Sequence, residues 1–196
     1  MKPISGWENV QALQERQPLP LGAYIVKIMG AAISEVESRD GRKFPVLDIS
    51  YDIAEGDFTG YYAAEYRAQT GDKRWKGVLR QFLPREDGSD QDKWTKSKLK
   101  AIIEAIEKSN SGYRWDWNES GLKGRIVGCI YRNEEWEWNG NTGFTARPFK
   151  FAEASKVREG NFKLPKEKLL KRDAASPSPS LNVNYEPIDE DDDLPF

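Results

Sequence analysis

The chain has 196 residues, of which 38% are hydrophobic, with 30 basic and 32 acidic residues. This length and composition predict one compact domain with extensions. No apolar run approaches the length of a membrane span, and no basic segment precedes an apolar stretch near residue 1. We therefore expect neither a membrane span nor a secretory signal. The expected location is the cytoplasm. The absence of histidine and the single cysteine, Cys129, exclude disulfides, zinc sites and Ser-His or Cys-His nucleophiles. Apolar neighbours predict that Cys129 is a buried, inert thiol.

The charge is divided along the chain. Residues 1–172 contain 30 basic and 25 acidic residues, a net charge of +5, whereas residues 173–196 contain 7 acidic and no basic residues, a net charge of −7. A basic body is compatible with a polyanionic partner, although mixed charge also describes an ordinary soluble surface. The separation of the two charges is the stronger indication of a binding function.

The first predicted elements are extended. Residues 21–36 and 44–53 alternate apolar and polar side chains, and Asp40-Gly41 between them is typical of a hairpin turn. On the second of these strands, we expect the odd-numbered residues to face the core and the even-numbered ones to face solvent or a ligand. The many aromatic residues over 58–67 predict a third strand.

The middle of the chain changes to a helical period. Apolar residues at helical spacing predict a short amphipathic helix over 75–82 and a longer helix over 94–108, with Asp92 as its N-cap. A fourth and a fifth strand follow over 121–138 and 142–151, joined by an Asn-Gly turn.

Five strands with helices between the third and the fourth match the element order of an oligonucleotide-binding (OB) barrel. A small barrel of another topology, or an α+β sheet, also fits this order. We therefore predict a mainly β fold, a five-stranded OB-fold barrel over residues 1–156. A flexible linker over 157–188, which contains Ser-Pro repeats, and a disordered acidic tail complete the chain.

The last eight residues, 189–196, are an acidic run closed by Leu-Pro-Phe. An exposed phenylalanine beside these charges can enter an apolar pocket with a basic rim, although acidic tails are also common as solubilising ends. The segment resembles the C-terminal tip of bacterial and phage single-stranded DNA-binding proteins, which is short, acidic and ends in Pro-Phe. The resemblance implies recruitment of replication or recombination proteins by Asp191, Asp192, Asp193, Leu194, Pro195 and Phe196.

A second resemblance covers the later part of the predicted barrel. The stretches 122–128, 136–140 and 156–162 are similar to a region in small replication-module proteins of phages that infect Gram-positive bacteria, several of which are thought to bind single-stranded DNA. The resemblance rests on short stretches anchored by glycine and aromatic residues. It implies a DNA replication, recombination or repair function in the cytoplasm of a bacterial host, without a cofactor.

Seven tryptophans and eight tyrosines exceed the needs of a core of this size and predict base stacking beside cations that hold phosphates. Trp136 and Trp138 share one parity next to the predicted hairpin tip, where they either stack on bases or cap the barrel. Charge runs also describe solvated faces, and the pattern leaves open which side of the third strand faces the core. The predicted nucleic-acid-binding residues are Trp136, Trp138, Tyr61, Tyr62, Arg67, Arg74, Lys76, Arg80, Lys96 and Lys98.

The remaining tryptophans favour structural roles. Trp75 and Trp94 are expected to anchor the two predicted helices, and Trp115 and Trp117 precede the fourth strand, where core packing and stacking are both open.

Two other function classes stay open. Asp48 and Asp52 share a strand face and could belong to a metal-dependent nuclease, but no companion carboxylate cluster accompanies them. A protein adaptor of a phage replication module is the other alternative. We expect a binding protein rather than an enzyme. The oligomeric state and the preference for DNA or RNA stay open.

Overall fold

The structure is a computed structural model, and it describes residues 2–9, 17–38 and 40–170. The fold is mainly β, and within these ranges no helix has both the length and the apolar character needed to cross a membrane. The elements in chain order are β1 (Ala23–Glu37), β2 (Lys43–Ile53), α1 (Tyr61–Ala68), β3 (Val78–Phe82), α2 (Asp90–Ser109), β4 (Ile126–Trp138), β5 (Asn141–Ala152) and α3 (Ala154–Arg158), with short 3-10 helices at Trp7–Asn9 and Glu119–Leu122.

The five strands form one antiparallel sheet in the order β3-β2-β1-β4-β5. β1 pairs with β2 along most of its length and with β4 through residues 23–27. The register of β1 against β2 shifts between Ile28 and Gly30, a β-bulge that bends the strand. In the described ranges β3 and β5 are not paired, so the strands form an open sheet rather than the closed barrel that we predicted.

The alternation predicted for β2 is confirmed for residues 47–51 and fails at two even-numbered positions, because Val46 is fully buried and Asp52 is buried as well. Asp48 and Ser50 lie partly exposed on the outer face of the sheet, whereas Asp52 is buried for a reason given below. The odd-numbered residues face the core and are at most 3% exposed: Leu47, Ile49, Tyr51 and Ile53.

The predicted third strand over 58–67 is wrong, because most of this segment forms helix α1. The Oδ1 atom of Asp52 accepts a hydrogen bond from the backbone N–H of Tyr62 at 2.9 Å, and Oδ2 accepts one from Ala63 at 3.1 Å. These are amides of the first helical turn, which have no partner inside the helix. The group that stabilises the helix start therefore comes from β2, and the local aromatic pattern does not reveal it.

The predicted helix over 75–82 is also wrong, because residues 78–82 form β3. This strand pairs with β2 and places Leu79 in the core, opposite Ile49. Trp75 packs partly buried against the core instead of anchoring a helix, and its indole N–H donates to the Tyr51 carbonyl oxygen at 3.0 Å. The helical spacing of the apolar residues is thus coincidental, since Val78 lies on the outer face of the sheet.

The long helix predicted over 94–108 is confirmed as α2, but its N-cap is Ser89 and not Asp92. The Ser89 hydroxyl accepts the backbone N–H of Asp92 at 3.1 Å. Asp92 is buried, and its carboxylate accepts the N–H of Glu86 at 2.9 Å and pairs with Lys96 at 2.7 Å. An acidic residue three positions after the N-cap can accept hydrogen bonds from amides upstream of the helix. Asp92 therefore has the features of an N-cap, although it lies three positions after Ser89.

Both predicted hairpin turns are confirmed. Gly41 connects β1 to β2 with a φ of 79°, and Asn139 and Gly140 connect β4 to β5 with φ values of 50° and 76°. Two consecutive positive φ values are the requirement of a tight type I′ turn. The fourth strand begins at Ile126 instead of 121, because the preceding segment forms a 3-10 helix that buries Leu122 completely.

Three tyrosine hydroxyls meet inside the core. The Tyr131 Oη atom of β4 lies 2.8 Å from Tyr51 Oη of β2 and 2.9 Å from Tyr62 Oη of α1. Because a buried hydroxyl without a partner costs about 1–3 kcal/mol, these hydrogen bonds fix α1 against the sheet. The Cys129 thiol also contacts Tyr51 Oη, at 3.7 Å, and burial raises the pKa of Cys129 to about 12, as expected of an inert thiol.

Gly77 allows α1 to pack closely on the sheet. A Cβ atom at this position would lie 2.4 Å from the Tyr51 carbonyl oxygen and 2.6 Å from the Tyr62 ring. The Tyr51 N–H donates to the Gly77 carbonyl oxygen at 2.8 Å, which holds the two backbones together. A side chain at residue 77 is therefore incompatible with this position of the helix.

The chain after β5 continues to contact the sheet. The backbone N–H of Lys168 donates to the Asn133 carbonyl oxygen at 2.9 Å, and the Lys168 carbonyl oxygen accepts the Glu135 N–H at 2.8 Å, which adds a parallel bridge beside β4. The linker predicted over 157–188 thus begins inside α3, and its described part reaches β4. Residues 171–188 lie outside the described residues.

Alkaline pH should unfold the protein through these tyrosines. Burial raises the pKa of Tyr62 to about 12 and raises the pKa values of Tyr51 and Tyr131. Because the pKa of Tyr62 is higher in the folded state, its contribution to stability is complete below about pH 10 and is lost as the pH rises through about 12. We expect the free energy of unfolding in urea to fall by up to about 1.4 kcal/mol per pH unit for each buried phenol.

The variant Tyr62→Phe provides the comparison, because it removes one titrating phenol and leaves the ring. Its free energy of unfolding should fall less steeply above about pH 10 than that of the wild type, by up to about 1.4 kcal/mol per pH unit. Equal slopes for the two proteins would contradict this account.

Candidate nucleic-acid interface

A groove of about 620 Å³, which we call the outer groove, lies on the outer face of β1, β2 and β3. Because small residues occupy the β1 positions, the backbone of that strand is open to close approach. Trp75 and Lys76, which precede β3, also line the groove. Its floor consists of two cross-strand rows, the first of Gly30, Ser50 and Val78 and the second of Ala32, Asp48 and Arg80.

Arg80 and Lys76, the cations that line the outer groove in the described structure, are both paired with carboxylates of the protein. Arg80 donates to Asp48 through Nε at 2.6 Å and through a terminal nitrogen at 2.9 Å. These hydrogen bonds lower the pKa of the Asp48 carboxyl and raise the pKa of the Arg80 guanidinium. The Lys76 ammonium lies 2.7 Å from Oε1 of Glu65, an α1 residue that is 7% exposed.

A second groove of about 460 Å³, the hairpin groove, lies between residues 18–20, α1 and residues 144–148 of β5. Phe144, which is 47% exposed, and Arg147 line it from β5, and Tyr61 lines it from α1. Lys76 lines this groove as well as the outer groove. The two grooves therefore meet at the Lys76 side chain.

The β4–β5 hairpin exposes aromatic rings on both faces. Trp136 and Trp138 lie in alternate cross-strand pairs, so they share one face, and they are 41% and 72% exposed. Trp136 covers Gly143 on the neighbouring strand, where a Cβ atom would lie 2.8 Å from the indole Cζ2 atom. Phe144 follows Gly143 and projects from the opposite face.

The two predicted tyrosines lie on α1 and differ in accessibility. The Tyr62 ring is buried in the core, so it offers no surface for a base, contrary to the prediction. Tyr61 is half-buried and packs edge-to-face against Tyr62 and Phe58, with part of its surface in the hairpin groove. The alternation expected of a third strand does not apply to these residues, because they are helical.

The other four predicted cations lie away from the two grooves. Arg67 is on α1, where its Nε atom donates to the Ala63 carbonyl oxygen, and Arg74 is exposed in the connection to β3. Lys96 pairs with Asp92 on α2, and the Lys98 ammonium lies 3.8 Å from the centre of the Trp94 ring. None of these four cations lines the outer or the hairpin groove.

Trp115 and Trp117 differ in burial. Trp115 is partly buried and packs against the core, which was one of the two roles that the sequence left open. Trp117 is 82% exposed in the connection between α2 and β4, with a φ of 64°, and its ring centre lies 6.4 Å from that of Trp115. It lines neither groove.

Sequence reasoning missed several residues that line the grooves. Phe144 and Arg147 lie on a segment correctly predicted as a strand, but only the packing shows which of its side chains reach a groove. The small residues Gly30 and Ala32 open the outer groove, and a glycine inside a predicted strand is the signal that could have indicated a close approach to a ligand.

The carboxylates of the nuclease alternative already have protein partners. Asp48 is held by Arg80 and by the hydroxyl of Ser34, and Asp52 binds amides of α1. In residues 2–9, 17–38 and 40–170, no group of three or more acidic or cysteine side chains is placed to hold a metal ion.

The predicted partner-binding residues Asp191, Asp192, Asp193, Leu194, Pro195 and Phe196 lie outside the described residues. Their proposed role depends on the sequence alone. No protein-family model matches the chain, and no curated protein matches it.

The contact between Trp136 and Gly143 can be tested with Gly143→Ala. The new methyl group would lie 2.8 Å from the indole Cζ2 atom, so the ring must move off the neighbouring strand. In protein labelled with 5-fluorotryptophan, we expect the ¹⁹F resonance of Trp136, assigned with Trp136→Phe, to shift toward the position of a solvent-exposed indole.

Gly22→Ala is the matched control, because its methyl group would make only an ordinary contact, 3.7 Å from the Tyr24 hydroxyl. The Trp136 resonance should stay unchanged in this variant. An unchanged resonance in Gly143→Ala would show that the ring does not cover Gly143.

Proposed function

We propose that this chain is a single-stranded DNA-binding protein that holds the strand along the outer and hairpin grooves without reading its sequence. The observation that carries the proposal is the junction of the two grooves at Lys76, with exposed aromatic rings on the adjoining hairpin. This combination suits single-stranded nucleic acid, because any base can stack on an aromatic ring while cations follow the phosphates.

The strand order supports an OB fold as the scaffold. β1 pairs with both β2 and β4, and α2 lies between β3 and β4. β3 and β5, the two edge strands, come near each other, as the closing strands of an OB barrel do. Ligands of OB folds usually contact the face of strands 2 and 3 and the loop between strands 4 and 5. On this proposal, the outer groove and the β4–β5 hairpin correspond to these two places.

We propose further that residues 189–196 recruit replication or recombination proteins. The division of charge between a body of +5 and a tail of −7 supports separate binding roles for the two parts. The resemblance to phage single-stranded DNA-binding proteins supports the same division, because the tip of that family binds proteins. On this proposal the chain protects single strands and brings the replication machinery to them.

Titration with a mixed-sequence single-stranded oligonucleotide tests the binding function. We expect quenching of tryptophan fluorescence by the single strand and little by duplex DNA, with an affinity that falls as salt rises. Phe144→Ala should weaken binding roughly tenfold, because this exposed ring lines the hairpin groove and stacking contributes about 1–3 kcal/mol per base. A parallel titration with single-stranded RNA measures the preference between the two nucleic acids.

Trp117→Ala is the matched control, since Trp117 is at least as exposed as Phe144 and lines neither groove. Its affinity should stay within about twofold of the wild type. Equal losses in the two variants would refute the placement of the ligand. A lack of binding, or an affinity independent of salt, would instead favour the protein adaptor.

Deletion of residues 189–196 tests the recruiting role. The truncated protein should bind single-stranded DNA as tightly as the full chain or more tightly, because a competing acidic segment is removed. Capture of replication proteins from a lysate of the bacterial host should be lost. Markedly weaker DNA binding by the truncated protein would overturn this assignment.

A further inference from the structure

We infer that Asp48 sets the specificity of the outer groove, because it neutralises Arg80 and so prevents tight binding of phosphate chains that carry no bases. The inference rests on the proposed function and deepens it, since it states which polyanions the same site rejects.

The Asp48–Arg80 pair lies in the floor of the groove. The two residues are directly opposite each other on β2 and β3, and both terminal atoms of the carboxylate accept hydrogen bonds from the guanidinium, at 2.6 and 2.9 Å. The Ser34 hydroxyl of β1 donates to Oδ2 of Asp48 at 2.9 Å. Three strands thus contribute to one hydrogen-bonded group, which holds the carboxylate in place.

Lys76, at the junction of the grooves, is also paired with a carboxylate. Its ammonium pairs with Glu65, whose burial leaves the carboxylate little access to water. The floor of the outer groove therefore has cations in position but little net positive charge. A phosphate that approaches Arg80 meets a guanidinium whose charge Asp48 already neutralises and whose Nε edge is occupied, so a contact with the remaining N–H donors yields little net free energy.

A nucleobase is affected differently. It gains from stacking and from contact with the open backbone at Gly30 and Ala32, and these gains do not depend on the charge of Arg80. Net attraction for phosphates is available in the hairpin groove, where Arg147 forms no ion pair with any described residue. A strand with bases can therefore use both grooves, whereas a bare phosphate chain gains little from the outer groove.

The test compares wild type with Asp48→Asn on two probes of equal length, a mixed-sequence single-stranded oligonucleotide and an abasic oligodeoxynucleotide built from tetrahydrofuran units. Asp48→Asn should bind the abasic chain about fivefold more tightly at low salt, the effect of one further exposed ion pair. The slope of log affinity against log salt should steepen by about 0.7, the value for one additional phosphate contact of a single strand. The preference for the oligonucleotide with bases should fall accordingly.

Two further variants make the result specific. The gain should disappear in Asp48→Asn/Arg80→Gln, because the freed guanidinium is then absent. Glu55→Gln is the matched control, since Glu55 forms the same kind of two-point pair with Arg158, at 2.7 and 3.1 Å, outside both grooves. It removes the same charge and should leave binding of the abasic chain unchanged.

The inference is overturned if Asp48→Asn binds the abasic chain no more tightly than wild type, or if Glu55→Gln gains as much. If the asparagine variant folds poorly, Asp48→Ser repeats the measurement with a smaller neutral side chain. If the wild type fails to bind the mixed-sequence oligonucleotide, the proposed function is wrong, while the abasic probe still decides the role of Asp48.

Discussion

The arrangement of this protein depends on the need to pair three phenol hydroxyls that are buried in the core. Tyr51, Tyr131 and Tyr62 come from β2, β4 and α1, and each hydroxyl finds its partner in another of the three. Because an unpaired buried hydroxyl is costly, the helix can take only the position in which Tyr62 reaches Tyr131. Gly77 makes that position sterically possible, since any side chain there would collide with Tyr51 and Tyr62.

The same helix positions the candidate site. Glu65 lies three residues after Tyr62, on the same side of α1, so fixing the tyrosine also fixes the carboxylate that holds Lys76. Lys76 in turn lies where the outer and hairpin grooves meet. The hydrogen bonds of the core are thus connected through one helical turn to a cation on the proposed path of the nucleic acid.

Neighbouring acidic residues on β2 illustrate how position decides the role of a carboxylate. Asp52 is buried and stabilises the start of α1, whereas Asp48, four residues earlier on the same strand, is partly exposed and holds Arg80 in the outer groove. The sequence shows both as polar residues of equal parity. Their separate functions depend on α1 and β3, which pack beside the strand but lie elsewhere in the chain.

Strong local signals were sufficient to predict several features: the strands β1 and β2, the long helix α2, the two glycine-containing hairpin turns and the shared face of Trp136 and Trp138. The sequence also placed Lys76 and Arg80 among the candidate binding residues. Long-range packing makes residues 61–68 helical and 78–82 extended, buries Tyr62, and pairs both cations of the outer groove with carboxylates. The reason is physical: periodicity and turn chemistry act within a few residues, whereas the cap on α1, the partner of Tyr62 and the carboxylates beside the cations come from other segments of the chain.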